Sequence, residues 1–484
     1  MLERIEQGFD EGAKNPVYQY GLLAAITLLA AALRFYKLGD WSFWIDEVFT
    51  LGHVGAHYSS LETIIENIPP SRRWVPISLI LNGAVLNAFG RGEWSARIVP
   101  AIIGVITIPV LYFPIRRAFN ISVGLIAAVL LAISPWHLYW SQNARFFTAL
   151  LLLYFLASVA FYVAIEKDQP IYIVIGFFLF YLATSERLFA LFLGPVLISY
   201  LLLLKLLPVA KPPGLRMRNV ILLSLPVIAA TLLNIYSYVS TGDFVLSELL
   251  TYFVGSMNTT PVRLSASIAY RIGVPVLVLG GFASLYLIMI GQRSGLFLFV
   301  SAMLPVVLLL AISTVAFTID RYIFVTLPFW IILAAVGVHT LFKQTSGQAK
   351  LLAVGVLVIL LAHYLGEDYL YFRFQNGNRP DWQAAFNVVE QQREERDLIF
   401  ATRAEMGSYY LGQDIRGING LDLESLRSID ERAWFVVDEA TSRPDPDIEN
   451  WITQNSLLVD VFDVYLPGKS LSLRLYLYVP TEDG

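Results

Sequence analysis

The chain has 484 residues, 15% charged and 56% apolar, with a formal net charge of −4. A mean hydropathy of +0.62 excludes an ordinary soluble domain, which needs far more charge to cover its surface. The acidic balance and lack of a basic tract exclude nucleic acid as a partner, and the absence of cysteine excludes disulfides, thiolate chemistry and cysteine metal sites.

Apolar runs of about 17–22 residues recur along the chain, each long enough to cross about 30 Å of hydrocarbon. The first, residues 18–36, follows a polar amphipathic lead without a small-residue cleavage site and reads as an anchor. Further spans are expected at 97–115, 121–139, 148–165, 171–183, 188–204, 219–236, 272–290, 295–316, 322–338 and 351–364, about eleven in all. Residues 74–89 form a shorter apolar segment carrying Pro76, Asn82 and Asn87, which reads as a helix lying on the membrane. With that assignment Arg116, Arg117, Lys167, the basic cluster at 205–218, Arg293 and the lysines at 343 and 350 all fall on the side of the N-terminus. The bias of basic residues toward the cytoplasm then places the N-terminus inside and Asp46 outside. The first outer loop covers about residues 37–96.

From residue 376 the chain becomes polar. An amphipathic helix is expected at 381–396, with short apolar runs at 398–401, 434–437 and 457–462 and a strand-like alternation at 471–480. These predict an all-α polytopic membrane domain over residues 1–365 and a small extracytoplasmic α/β domain over 366–484.

Three groups of residues carry possible chemistry. Asp46 and Glu47, flanked by Trp41, Trp44 and Phe49, lie where the first span meets water. They read either as an interfacial acid pair balanced by Arg34 or Lys37, or as carboxylates shielded from bulk water and so made basic enough to take a proton. At 134–145, Ser134 and Pro135 can break a helix and free backbone carbonyls, Trp136, Tyr139 and Trp140 form an aromatic belt, and Gln142, Asn143 and Arg145 offer polar groups. Outer arginines accumulate at Arg72, Arg73, Arg97, Arg187, Arg263 and Arg321, against the usual charge bias, as an anionic lipid headgroup would require. Glu186 is a possible partner for Arg187, and Asp320 for Arg321. His53 and His57, spaced one helical turn apart, are weak metal candidates with only two ligands. Asn258, Thr259 and Thr260 match a short N-glycan acceptor pattern. The chain has no GxxxxGK[ST], HExxH or G-x-S-x-G.

The order of motifs resembles the GT-C superfamily of polytopic glycosyltransferases, in particular its protein mannosyltransferase, aminoarabinose transferase and RgtA-like group. The resemblance rests on Arg34, Tyr36, Leu38, Gly39, Trp44, Asp46 and Glu47; on Pro69 and Pro70 followed by Phe89, Gly90, Glu93, Arg97 and Pro100; and on Ser134, Pro135, Tyr139, Ser141, Gln142, Ala144 and Arg145. Arg321, Tyr322 and Pro328, then Asp381 and Trp382, complete it. Asn143 stands where relatives often carry Glu, Ile68 where they tend to have His, and Glu186 and Arg187 where many have a His-Tyr pair.

The resemblance implies an inverting transfer of sugar from a polyprenyl or dolichyl phosphate to a glycan, lipid or protein acceptor. It makes Asp46, with Glu47 beside it, the expected base, and places the site outside a prokaryotic inner membrane. Arg72, Arg73, Gln142, Asn143, Arg145, Glu186, Arg187 and Arg321 are the candidates for holding donor phosphate and sugar. No cofactor is expected beyond the lipid-linked donor, with a divalent metal left open. A transporter or flippase would account for the spans without chemistry but calls for inverted repeats and mid-span breaks; an envelope assembly factor is the third reading.

Overall fold

The computed structural model describes residues 15–66, 76–241, 260–438, 442–466 and 469–480; Arg72, Arg73 and the triplet at 258–260, apart from Thr260, lie outside them. The protein is mostly helical. The membrane part runs through α1 (Pro16–Phe35), α2 (Ile45–His57), α3 (Leu61–Glu66), α4 (Ile77–Phe89), α5 (Glu93–Ala118), α6 (Ile121–Ala132), α7 (Pro135–Ser141) and α8 (Phe147–Lys167). It continues through α9 (Ile171–Glu186), α10 (Leu193–Leu206), α11 (Met217–Thr241), α12 (Pro261–Ile272), α13 (Val274–Met289), α14 (Arg293–Ile312), α15 (Leu327–Gln344) and α16 (Ala349–Arg373).

This is a membrane protein with several transmembrane helices. Among the described residues seven helices are long and apolar enough to cross a bilayer, or nine if two bent pairs each count as one span, against the eleven expected. The shortfall is partly one of length: α9 has 16 residues, or about 24 Å of helix, less than the hydrocarbon thickness. Among the described residues 76–89, α4 has 13 residues, or about 20 Å of helix, too short to span.

The break expected at Ser134 and Pro135 is present: α6 and α7 meet at 58°. Proline withdraws a backbone donor and ends the preceding turn. The freed carbonyls are taken by a buried cation, since Arg34 Nη1 donates to Ala132 O at 2.9 Å and Nη2 to Leu131 O at 3.2 Å. Arg34 Nη2 also lies 2.6 Å from His137 Nδ1. Arg34 is therefore a helix cap and does not balance Asp46 and Glu47, and Lys37 reaches instead toward the carbonyl of Phe372. The second bend, 90° between α12 and α13, turns on Gly273 at φ +95°, a conformation that L side chains avoid.

The C-terminal part holds α17 (Trp382–Gln392), β1 (Leu398–Ala401), α18 (Ala404–Leu411), β2 (Arg416–Gly417), α19 (Leu423–Arg427), β3 (Ala433–Asp438), α20 (Pro446–Asn455) and β4 (Leu457–Phe462). It ends with β5 (Tyr465–Leu466), β6 (Lys469–Ser470) and β7 (Leu473–Tyr478). Five strands form a sheet in the order β2-β1-β3-β7-β4, with β1 parallel to β2 and β3, and β7 antiparallel to its neighbours. Side chains alternate across it with the period of two that strands impose. Ile399, Ala401, Trp434, Val436, Leu473 and Leu475 face a core shared with Phe43, Leu51, Val54, Trp382 and Phe386. Phe400, Phe435, Val437 and Tyr476 face the second core under α19 and α20.

The first face welds this sheet to the loop after α1. Tyr410 OH accepts from the Phe43 N–H at 2.7 Å and donates to Glu93 at 2.9 Å, and Ser42 Oγ donates to Asp381 Oδ1 at 2.7 Å. The helix that leads into the tail is continuous to Arg373, past the boundary expected near residue 365. A chain cut after Gly366 therefore loses half of a shared core as well as a peripheral domain. Burial of this kind contributes about 25 cal/mol per Å², so the truncated chain is expected to aggregate or melt well below the full chain in a detergent-solubilised thermal melt.

Candidate functional site

Asp46 and Glu47 occupy the first turn of α2 and meet different partners. Glu47 is fully buried. Arg97 grips it with two parallel bonds, Nε to Oε1 and Nη2 to Oε2, both 2.9 Å. Arg379 Nε stands 3.3 Å from Oε2, and the Ala144 N–H donates to Oε1 at 2.7 Å. Burial by itself raises this carboxyl, but the charges of Arg97 and Arg379, the Arg97 hydrogen bonds and the Ala144 N–H outweigh it and hold the group below the usual carboxylate range. One carboxylate thus ties together α2, the start of α5, the turn after α7 and the segment leading into the tail.

Asp46 is partly open to solvent, with 24% of its side chain exposed. Its Oδ2 lies 3.2 Å from Arg321 Nη1 and 3.6 Å from Arg145 Nη2. Among the described residues no hydrogen bond or ion pair goes to Oδ1. Arg145 is held from behind: Nη1 donates to the Asp46 carbonyl at 2.9 Å and to Thr50 Oγ1 at 2.6 Å. Burial lowers its pKa to about 10, so it stays cationic at neutral pH. Arg145 and Arg187 lie over the same ring, Phe146, at 5.1 and 4.7 Å from its centroid, and Arg321 lies 5.6 Å from the Trp44 ring. Aromatic faces steady guanidinium groups while leaving their N–H edges for an anion.

Beside this cluster opens a cavity of about 550 Å³ whose lining includes Thr50, His53, Arg145, Phe146, Glu186 and Arg187. Asp46 adjoins it through Arg145 and Thr50.

Glu186 bonds across the fold to α4. Its carboxylate takes the Ser78 N–H at 2.9 Å and the Ser78 hydroxyl, capping the first turn of α4, where unpaired N–H groups favour negative charge. Asp320 pairs with Arg271 at 3.1 Å and accepts from Ser267 at 2.7 Å. The pairings expected from adjacency, Glu186 with Arg187 and Asp320 with Arg321, are thus replaced by contacts across the fold, because neighbours at a helix end face different sides.

Gln142 is a scaffold residue. Its Nε2 donates to the carbonyls of Leu33, Arg34 and Tyr36, its Oε1 accepts from Trp41 and Tyr371, and its own carbonyl accepts from Arg379. Asn143 accepts from Trp44 Nε1 at 3.0 Å, while its Nδ2 is buried without a hydrogen-bond partner among the described residues. The His53 and His57 rings sit 4.6 Å apart, and among the described residues no group of three or more histidine, aspartate or glutamate side chains gathers as a metal site would. Arg379 escaped the sequence reading as a site residue. The signal for it was a lone arginine two residues before Asp381, at the junction of helix and tail.

Residues 76–233 match the family model described as dolichyl-phosphate-mannose-protein mannosyltransferase. The fold is similar to ArnT from Cupriavidus metallidurans bound to undecaprenyl phosphate, with a TM-score of 0.58 at 14% identity over 97% of this chain and 100% of that one. The chain has the GT-C fold. Two further GT-C structures are similar: the apo Archaeoglobus fulgidus oligosaccharyltransferase, with a TM-score of 0.57 at 12% identity over 88% of this chain and 70% of that one, and the archaeal oligosaccharyltransferase AglB from the same organism in complex with an inhibitory peptide and a dolichol-phosphate, with a TM-score of 0.51 at 12% identity over 81% and 63%. No curated protein sequence matches the chain. In this fold Asp46 and Arg145 come from the segments that carried the motif resemblance.

Proposed function

We propose that the protein transfers a sugar from a polyprenyl or dolichyl phosphate to an acceptor hydroxyl, with inversion, on the extracytoplasmic side of a prokaryotic inner membrane. The observation that carries this reading is one carboxylate, Asp46, held between Arg145 and Arg321 at the edge of a cavity that also presents Arg187. The GT-C fold and the isoprenoid phosphates named in the ArnT and AglB complexes support a lipid-phosphate donor.

The chemistry follows from the charges. An incoming phosphate offers Arg145 and Arg321 a second anion, and Arg145 Nε is a buried donor with no hydrogen-bond partner among the described residues. Charge-assisted bonds to the phosphate draw these guanidinium groups off Asp46. Its freed carboxylate takes the acceptor's O–H proton while the acceptor oxygen bonds to the anomeric carbon. The bond from that carbon to the phosphate oxygen breaks with its electron pair, and the departing phosphate carries the negative charge against the arginines. A phosphate needs no proton to leave, so a single base suffices. Glu47, locked by Arg97 and Arg379, positions Asp46 and stays out of the reaction; Gln142 and Asn143 hold the turn from which Arg145 projects.

Purified protein supplied with polyprenyl-phosphate sugar and acceptor is expected to release free polyprenyl phosphate without an energised membrane. Movement of intact lipid-linked sugar with no change in linkage would instead identify a flippase. Arg145→Gln, Arg187→Gln and Arg321→Gln are each expected to raise KM for the donor by about 10–100-fold, the loss of one or two charge-assisted bonds. Unchanged donor KM in all three would remove the phosphate from this cluster.

A further inference from the structure

A second cavity, of about 330 Å³, opens at the other end of the membrane domain. Helix α8 begins beside Arg145 and ends at Lys167, and Lys167 and Arg117 both line the mouth of this cavity. From Lys167 the cavity follows α8 to Phe155, about 18 Å at the rise of an α-helix. Its walls there are apolar and aromatic, built by Phe155, Tyr162, Phe297 and Phe329. The result is a slot that is mostly apolar along α8 and cationic at one end.

The charges at that end are not used up by the protein. Glu166 is taken by Arg293 and Tyr200, and Asp168 by Arg216 and Arg218. Arg117 and Lys167, both exposed, make no ion pair among the described residues. A pair of cations at helix ends has an ordinary explanation in the helix dipole, but that does not account for an apolar slot leading inward from both. An acyl chain fills such a slot against a mostly apolar wall, in which Ser294, Tyr162 and Tyr172 carry the hydroxyls, and a phosphodiester at the same depth meets the two cations. Basic pockets between transmembrane helices on the basic face of a membrane protein hold anionic headgroups for this reason.

We propose that this slot is a binding site for an anionic glycerophospholipid of the leaflet opposite Asp46, with one acyl chain between α5, α8, α14 and α15 and the phosphate on Arg117 and Lys167. The site is separate from the Asp46 cavity and stands or falls without the transferase reading. Its occupant packs α8 against α14 and α15, the helices whose other ends carry or adjoin Arg145 and Arg321, and so stiffens the frame of the arginine cluster.

The test is native mass spectrometry of the delipidated full chain titrated with phosphatidylglycerol or phosphatidylcholine of the same acyl length. The wild type is expected to bind one phosphatidylglycerol about 10–30-fold more tightly than phosphatidylcholine, the preference two surface cations confer. R117Q/K167Q is expected to lose that preference, and Val159→Trp, which fills the slot, to lose the high-affinity lipid of either kind. Both are compared with the wild type by thermal melting, and a charge-swapped R117K/K167R chain, expected to keep the preference, guards against misfolding. Equal affinity for the two lipids in the wild type, or a preference that survives in R117Q/K167Q, would overturn the proposal. So would displacement of phosphatidylglycerol by an equimolar amount of undecaprenyl phosphate, which would make the slot a second site for isoprenoid.

Discussion

Asp46→Asn is expected to lower kcat by about 10²–10⁴-fold, the contribution of a positioned general base, while leaving the melting temperature within a few degrees of the wild type. The side chain is partly exposed and its two ion pairs are long, at 3.2 and 3.6 Å, so each adds little to stability. The amide keeps the volume and can still accept from Arg321, but it cannot take a proton from the acceptor. KM for the lipid donor should hold or fall, since removing the carboxylate leaves Arg145 and Arg321 free for phosphate. Steady-state transfer with purified protein separates these effects, and a near-normal kcat would move the base elsewhere.

Glu47→Gln is expected to act in the opposite register, on folding first. It leaves Arg97 and Arg379, both fully buried, without their counter-charge. Removing one member of a buried ionic cluster costs about 3–5 kcal/mol, enough to unfold a marginal domain, and the cost falls where the tail docks on the first loop. The same group sets an acid limit. Its pKa is depressed in the folded protein, so its stabilisation is complete above the unfolded carboxylate value of about 4.3 and is lost as pH falls through the lower folded value. Thermal melts from pH 7 to 3 should show a decline beginning below about pH 4 in the wild type, with that component missing in Glu47→Gln. Kinetic loss in Glu47→Gln should track the folded fraction, whereas loss in Asp46→Asn should not.

What could be read from the residues, and what could not, follows the range of the interactions involved. The break at Ser134 and Pro135 is a local matter of one missing N–H, and it stands where expected. The strand-like alternation at 471–480 is met by β7, because an alternating run has few other ways to bury one face, and the short apolar runs at 398–401 and 457–462 are met by β1 and β4. Ion pairing is different. The Arg321 partner is Asp46, 275 residues away in sequence, while the adjacent Asp320 belongs to Arg271. Adjacency was the only guide available before the fold, and helix geometry turns adjacent side chains apart. The two acids in the first turn of α2 looked alike as a pair. Only the fold separates the buried one, wrapped by two arginines, from the open one beside the cavity. The tail read as a small outer α/β domain, but its bonds to the first loop could not be named, since neither Arg379 nor the contact of Tyr410 with Phe43 and Glu93 leaves a mark in local composition.

The most direct test of the arginine cluster as the donor site is a cryo-EM map of the wild-type protein in nanodiscs containing undecaprenyl phosphate. The account predicts phosphate density within hydrogen-bonding distance of at least two of Arg145, Arg187 and Arg321, with Arg321 displaced from Asp46. Phosphate density far from all three, with the Asp46 pairs to Arg145 and Arg321 intact, would contradict it.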